Sequence, residues 1–374
     1  MRLPVKHLVF SVIPTLALLL LAEAGLRAAG YPSARFISLF PSPKGLYPES
    51  AEIVMSFGPI PYVIKTNALG FRGPEVPATR AVGSIRIATI GDSVCDGFFV
   101  DDESTWQAYL QDDLKRAYDR SIEVLNCAHG GASIDKELWI LENFVIPLQP
   151  DIVILTFVTN DISDIQGIPR SELLAFGSNR NPLVELSKAA FRWMVTGTAF
   201  GETFYHLYLS VRSPAYRHRD TSGSDLNDSR YDIEGGTSYA ENSRAFERQF
   251  RDTDGILLGD SLDRDTVEAI DDYIFALTEF VAITRAQGID LLLVFSPAYS
   301  QVYGTSSLLI NNRLEKTSAQ LDIDFLDLTD VFRTVGSQTV LHLAPVDFHF
   351  NPRGNELFAS SVAEHLARRG LYGR

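Results

Sequence analysis

Three side chains from two distant stretches of the chain have the types needed for nucleophilic acyl chemistry. The apolar run Ile85-Arg86-Ile87-Ala88-Thr89-Ile90 ends in Gly91-Asp92-Ser93, and Asp347-Phe348-His349-Phe350-Asn351-Pro352 stands near the other end. A serine hydroxyl is a poor nucleophile until an imidazole takes its proton, and the imidazole needs a carboxylate to fix its tautomer. Ser93, His349 and Asp347 supply one of each. The other histidines of interest, His129 and His342, read as structural, Asp92 as a turn residue and Asp161 as a loop anchor.

Such a set works only if strands deliver it to one edge. Val124-Leu125-Asn126-Cys127-Ala128-His129-Gly130-Gly131 reads as a second buried strand closing in a glycine turn, and Asp151 to Phe157 as a third that runs into Val158-Thr159-Asn160-Asp161. Each strand therefore delivers a polar or glycine-rich loop at its carboxyl end, where open parallel sheets bind ligands. In this order the blocks resemble the SGNH (GDSL-type) hydrolase superfamily, in a bacterial membrane-anchored form. Ser93 stands in its Gly-Asp-Ser block, Gly131 in the second, Asn160 in the Asn-Asp block, and His349 with Asp347 in the last. The resemblance covers residues 85 to 161 and 290 to 366. It implies a flavodoxin-like three-layer α/β/α fold with a central parallel sheet, a Ser93-His349-Asp347 triad and no cofactor. It also implies an oxyanion hole made by the backbone N–H groups of Ser93 and Gly131 and the amide of Asn160. Two positions depart from the family pattern. Val158 stands where a glycine is usual, and the last block is Asp-x-His where Asp-x-x-His is common.

The rest of the chain supplies matching elements. Trp106, Leu110, Leu114 and Tyr118 recur every fourth residue, with Ser104 and Gln107 spaced as a capping box. Ser133 precedes a second helical pattern through Val145, and Asp265 opens a third that ends at Gly288 before the strand Leu291 to Phe295. Leu309 to Leu321 is weakly helical, Ile323 to Leu328 alternates like a half-buried last or edge strand, and Asn351-Pro352 suits the N-cap and first position of a terminal helix. Strands alternating with helices predict a parallel sheet covered on both faces.

The domain plan expected is an N-terminal segment over 1–30, a linker and short-strand lead-in over 31–84, and a hydrolase-like domain over 85–374 with an insertion at about 162–262. The insertion is too long for a plain crossover. It reads as helical with a polar loop, either a lid over the catalytic edge or surface decoration. The lead-in reads as a cap on the sheet.

Arg2 and Lys6 precede the apolar stretch Leu8 to Ala22, which fits a membrane-targeting segment with its basic end inside. It is read as an uncleaved anchor, with Ala22-Glu23-Ala24 as the alternative cleavage site. The catalytic domain would then lie outside the cytoplasm in either case.

The net charge of −14 argues against a nucleic-acid partner, and no strand is followed by a phosphate-binding glycine loop. Cys95 and Cys127 are the only cysteines and have no metal-ligand spacing. Both a bridge and two buried thiols are open to them, and no metal is expected. The expected activity is hydrolysis of acyl esters, O-acetyl esters on carbohydrate included. Transfer of the acyl group to a polysaccharide hydroxyl would use the same machinery, and a non-catalytic glycan-binding module is the third reading.

Overall fold

A computed structural model describes residues 5–29, 46–55, 62–77, 80, 83–118, 121–165, 198–201, 203, 258–259, 261–344 and 347–370. The lid or decoration expected at 162–262 lies mostly outside the described residues.

The apolar runs become strands β3 (Ile85–Ile90), β4 (Ile122–Asn126), β5 (Ile152–Phe157), β6 (Asp290–Phe295) and β7 (Asp324–Asp327). They form one parallel sheet in the order β4-β3-β5-β6-β7. Every residue of β3 and β5 is buried, Arg86, Thr89 and Thr156 included, as strands covered on both faces must be. Successive side chains point to opposite faces, so the sheet feeds two cores. On one face Ala88, Val153, Leu155, Leu293 and Phe295 meet Leu138 of α4 (Ile134–Ile140) and Ile270, Leu277 and Phe280 of α6 (Arg264–Ala286). On the other, Ile87, Ile154, Leu292 and Val294 meet Leu110 and Leu114 of α3 (Trp106–Ala117) and Phe358 and Val362 of α10 (Pro352–Arg368). This is a three-layer α/β/α fold. Each fully buried Leu, Ile or Phe contributes about 1.5–3 kcal/mol, so the interleaved pattern fixes strand register strongly.

Three further helices fill the second half of the chain: α7 (Tyr299–Tyr303), α8 (Leu309–Leu321) and α9 (Thr329–Gly336). Two short ones follow the strands that carry candidate residues, α2 (Ser93–Asp96) and α5 (Asn160–Ile165).

Some expected boundaries shift. Thr105, not Ser104, caps α3 by accepting from Ala108 N, and Gln107 is drawn into the core, where its amide donates to Thr89 Oγ1 and Cys95 O. α6 starts at Arg264, one residue ahead of Asp265, and is capped by Asp263, which accepts from Thr266 N at 2.8 Å. β7 is the edge strand expected, but its four residues are all half-buried instead of alternating. Asn351 caps α10 with Pro352 at its first position, as read from the sequence.

In the lead-in, β1 (Glu52–Met55) and β2 (Tyr62–Lys65) pair antiparallel. Their buried Ile53, Tyr62 and Ile64 pack on Phe99 and Leu343, so the hairpin sits against the loops that carry the candidate site. At the start of the chain, α1 (Val5–Ala28) leaves Leu18, Leu20 and Leu21 about two-thirds exposed, at 67%, 69% and 71%. Among the described residues no helix is long and apolar enough to cross a membrane.

Candidate active site

The chain leaves β3 for β4 on one side and places β5 on the other, so loops from β3 and β5 flank the point where the strand order reverses. Sheets of this kind open a crevice there, at the carboxyl ends of the strands. Ser93 opens α2 directly after β3, and Asn160 opens α5 directly after β5. A loop that returns ahead of α10 brings in Asp347 and His349.

That loop is tied to itself and to the second core. Leu343 N donates to His349 O at 3.0 Å, Asn351 N to Leu341 O at 3.0 Å, and His342 pairs with Phe350 in an antiparallel bridge. His349 Nδ1 then lies 2.6 Å from Asp347 Oδ1 and His349 Nε2 lies 2.9 Å from Ser93 Oγ. Asp347 Oδ1 also accepts from the backbone N–H of His349 at 2.9 Å. One carboxylate oxygen thus holds both the ring and the backbone of the same histidine, which is how the short Asp-x-His spacing works here. With Nδ1–H donating to Asp347, the tautomer leaves Nε2 as the acceptor facing Ser93.

The electrostatics agree with this tautomer. Burial disfavours a charged ring at His349, but the hydrogen bond and charge of Asp347 outweigh it and raise the imidazole above its usual 6.5. Burial likewise raises Asp347, yet the hydrogen bond and charge of His349 hold its carboxyl below the usual range. Burial pushes the rival rings His129 and His342 down to about 3, and among the described residues no hydrogen bond joins either to Ser93.

Asp92 is fully buried and its carboxylate serves three groups. Oδ1 accepts from Val94 N at 2.9 Å, capping α2, while Oδ2 lies 3.1 Å from Asn160 Nδ2 and 3.3 Å from Ser93 Oγ. Asp161 anchors its own turn by accepting from Val158 N at 2.9 Å. The glycine turn after β4 is tied to the serine loop through His129 N, which donates to Gly91 O at 3.1 Å. Gly131 sits exposed at its tip with φ +70°, a backbone conformation that favours glycine. The structure thus joins Ser93, His349, Asp347 and Asn160 through direct hydrogen bonds and Asp92, and links the Gly131 turn to them through the backbone at Gly91.

Residues 89–198 match the model of the GDSL-like Lipase/Acylhydrolase family. No curated protein matches the chain. Among solved structures, a two-domain esterase (CEX) active on acetylated mannans is 12% identical, with a TM-score of 0.41 over 76% of this chain and 49% of that one. This chain therefore spans about half the length of that protein. The acetylxylan esterase Axe2 from Geobacillus stearothermophilus is 14% identical, with a TM-score of 0.41 over 77% of this chain and 96% of that one. The lipase/acylhydrolase from Enterococcus faecalis is 11% identical, with a TM-score of 0.40 over 76% and 96%. The family match and the hydrogen-bonded Ser-His-Asp line together support an ester-hydrolysing enzyme.

Several groups around the site were not singled out in the sequence. Arg72 is buried and binds the segment that follows α2: Nε pairs with Asp102 Oδ1 at 2.7 Å, Nη1 donates to Gly97 O at 2.6 Å and Nη2 to Val100 O at 2.6 Å. The hydroxyl of Tyr47 donates to Asp96 Oδ2, and its ring stacks on His129 at 4.8 Å. An arginine between Phe71 and Gly73 in an otherwise apolar, glycine-flanked stretch was the available signal for the first of these. Cys95 and Cys127 are both free and buried, and burial pushes the Cys127 thiol up to about 12. Among the described residues no cluster of His, Cys, Asp or Glu could hold a metal ion.

Proposed function

We propose that the protein is an exported, membrane-anchored serine esterase that cleaves small acyl esters, with Ser93 as nucleophile, His349 as general base and Asp347 as its orienting carboxylate. The observation that carries this reading is the line of hydrogen bonds from Asp347 Oδ1 through His349 to Ser93 Oγ, at 2.6 and 2.9 Å. Ser93 attacks the ester carbonyl as its proton passes to Nε2, and the imidazolium formed is stabilised by Asp347. The tetrahedral oxyanion is met by the N–H groups of Ser93 and Gly131 and the amide of Asn160, and a single such donor is worth roughly 3–4 kcal/mol in comparable sites. His349 then returns the proton to the departing alkoxide, and water activated by the same imidazole releases the acid.

Anchoring is supported by the position of α1, whose exposed leucines follow two basic residues at the start of the chain.

The test is fluorophosphonate labelling and p-nitrophenyl acetate hydrolysis by the full chain in detergent, compared with Ser93→Ala and His349→Ala. Labelling and turnover that vanish in both variants support the esterase. A folded parent that does neither sinks it, and turnover that appears only when a polysaccharide acceptor is added moves the reading to acyl transfer. Fractionation of cells with an alkaline wash tests the anchor, and release of the chain into the wash would sink that part.

A further inference from the structure

The ring of Phe98 stands between the imidazole of His349 and the glycine turn that carries Gly131. Its centroid lies 5.7 Å from that of the imidazole, with the planes at 27°, a stacked arrangement. On the other side it presses on Gly130 so closely that a Cβ added there would meet Phe98 Cζ at 2.1 Å and Cε1 at 2.5 Å. Phe99 meets the same imidazole edge-on at 5.2 Å, but it is 4% exposed and committed to the hairpin core with Tyr62. Phe98 is half-buried, packing on the edge of that core 6.1 Å from the Tyr62 ring.

The reaction itself fixes what must lie beside this ring. For His349 to return the proton, the departing oxygen has to come within about 3 Å of Nε2. The body of the alcohol is thereby held against whatever flanks the imidazole, and the acyl chain points elsewhere. The less buried of the two rings flanking the imidazole is that of Phe98, and an aromatic ring favours a partner presenting a flat, C–H-rich face over a short flexible chain. We propose that Phe98 is the specificity-determining platform for the alcohol half of the ester, selecting alcohols built on a six-membered ring, as a pyranose is, over small acyclic alcohols. The assignment rests on the esterase reading above and names the substrate class of that same site.

The experiment holds one half of the ester constant while the other varies. Parent, Phe98→Ala and Phe98→Leu are assayed on cyclohexyl acetate and ethyl acetate, and separately on ethyl acetate and ethyl butyrate. Because Phe98 touches His349, absolute rates fall on every ester, so the readout is the ratio of kcat/KM within each pair. Expected is a parent preference for the cyclohexyl ester that falls about tenfold in both variants, with the butyrate-to-acetate ratio held. Phe98→Leu keeps an apolar side chain in the gap and guards against a misfolded alanine variant. Equal loss on both alcohols, or a change confined to the acyl pair, overturns the proposal and leaves the esterase standing. A parent that hydrolyses none of these esters and takes no fluorophosphonate overturns both.

Discussion

The side-chain amide of Asn160 donates to Asp92 Oδ2 at 3.1 Å, across the gap between the loops that follow β5 and β3. The carboxylate that receives it also caps α2 and lies 3.3 Å from Ser93 Oγ, so the Ser93 hydroxyl and the amide are positioned by one buried group. In the proposed mechanism the same amide also meets the oxyanion. Asn160→Ala should therefore lower kcat and kcat/KM on p-nitrophenyl acetate together, by about 10²–10³-fold, the pattern of an interaction made mainly in the transition state. A rise in KM with kcat intact would assign Asn160 to ground-state binding instead.

With His349 as the proposed base, its raised imidazole should set the acid side of the pH profile. The base acts only when neutral, so kcat/KM should rise with pH through an apparent value above 6.5. Asp347→Asn removes the group that raises it. The limb should move to lower pH while the plateau falls by about 10²–10⁴-fold, because the tautomer is no longer fixed. An unmoved limb in the variant would mean that the profile reports another group.

Arg72, 2% exposed, links the lead-in to the segment that follows α2. Arg72→Met keeps the aliphatic bulk but strands Asp102 and the carbonyls of Asp96, Gly97 and Val100. Breaking a buried pair in this way costs about 3–5 kcal/mol. The denaturation midpoint should fall accordingly, and esterase activity should fall with it because the same segment presents Phe98 and Phe99 to His349. A melting temperature within a degree or two of the parent would show that the hairpin contributes little to this half of the molecule.

Signals that are local in the chain were legible, and those made by distant partners were not. Ile85 to Ile90 and Asp151 to Phe157 declare buried strands by composition alone, and the polar residues that follow them mark the edge where the candidate site lies. Ser93, His349 and Asp347 could be paired across 256 residues because each type has one role in the same reaction. Nothing in the sequence aims Asn160 at Asp92, or Phe98 at His349, since such contacts follow from where loops cross and carry no period. The start of α3 was misread for a related reason. Ser104 and Thr105 are both able caps, and the choice was made by Gln107, whose amide is needed inside the core by Thr89 and Cys95 O.

Asp96 gives the last prediction, one about stability. Its carboxyl is 1% exposed, Oδ2 accepts from the Tyr47 hydroxyl, and Oδ1 has no hydrogen-bond partner among the described residues. Burial raises it from 3.8 to about 6, even though the charge of Arg72 pulls the other way. The folded state therefore holds its proton more tightly than the unfolded chain does. Ionising Asp96 costs stability, a cost absent below pH 3.8, growing through the window to pH 6 and fully present above it. Asp96→Asn keeps an acceptor for Tyr47 and removes the charge. The variant should come close to the parent in unfolding free energy at pH 4 and exceed it by about 3 kcal/mol at pH 7, read from urea denaturation. A difference that does not change with pH would mean that Asp96 is already neutral, or already well solvated, throughout the range.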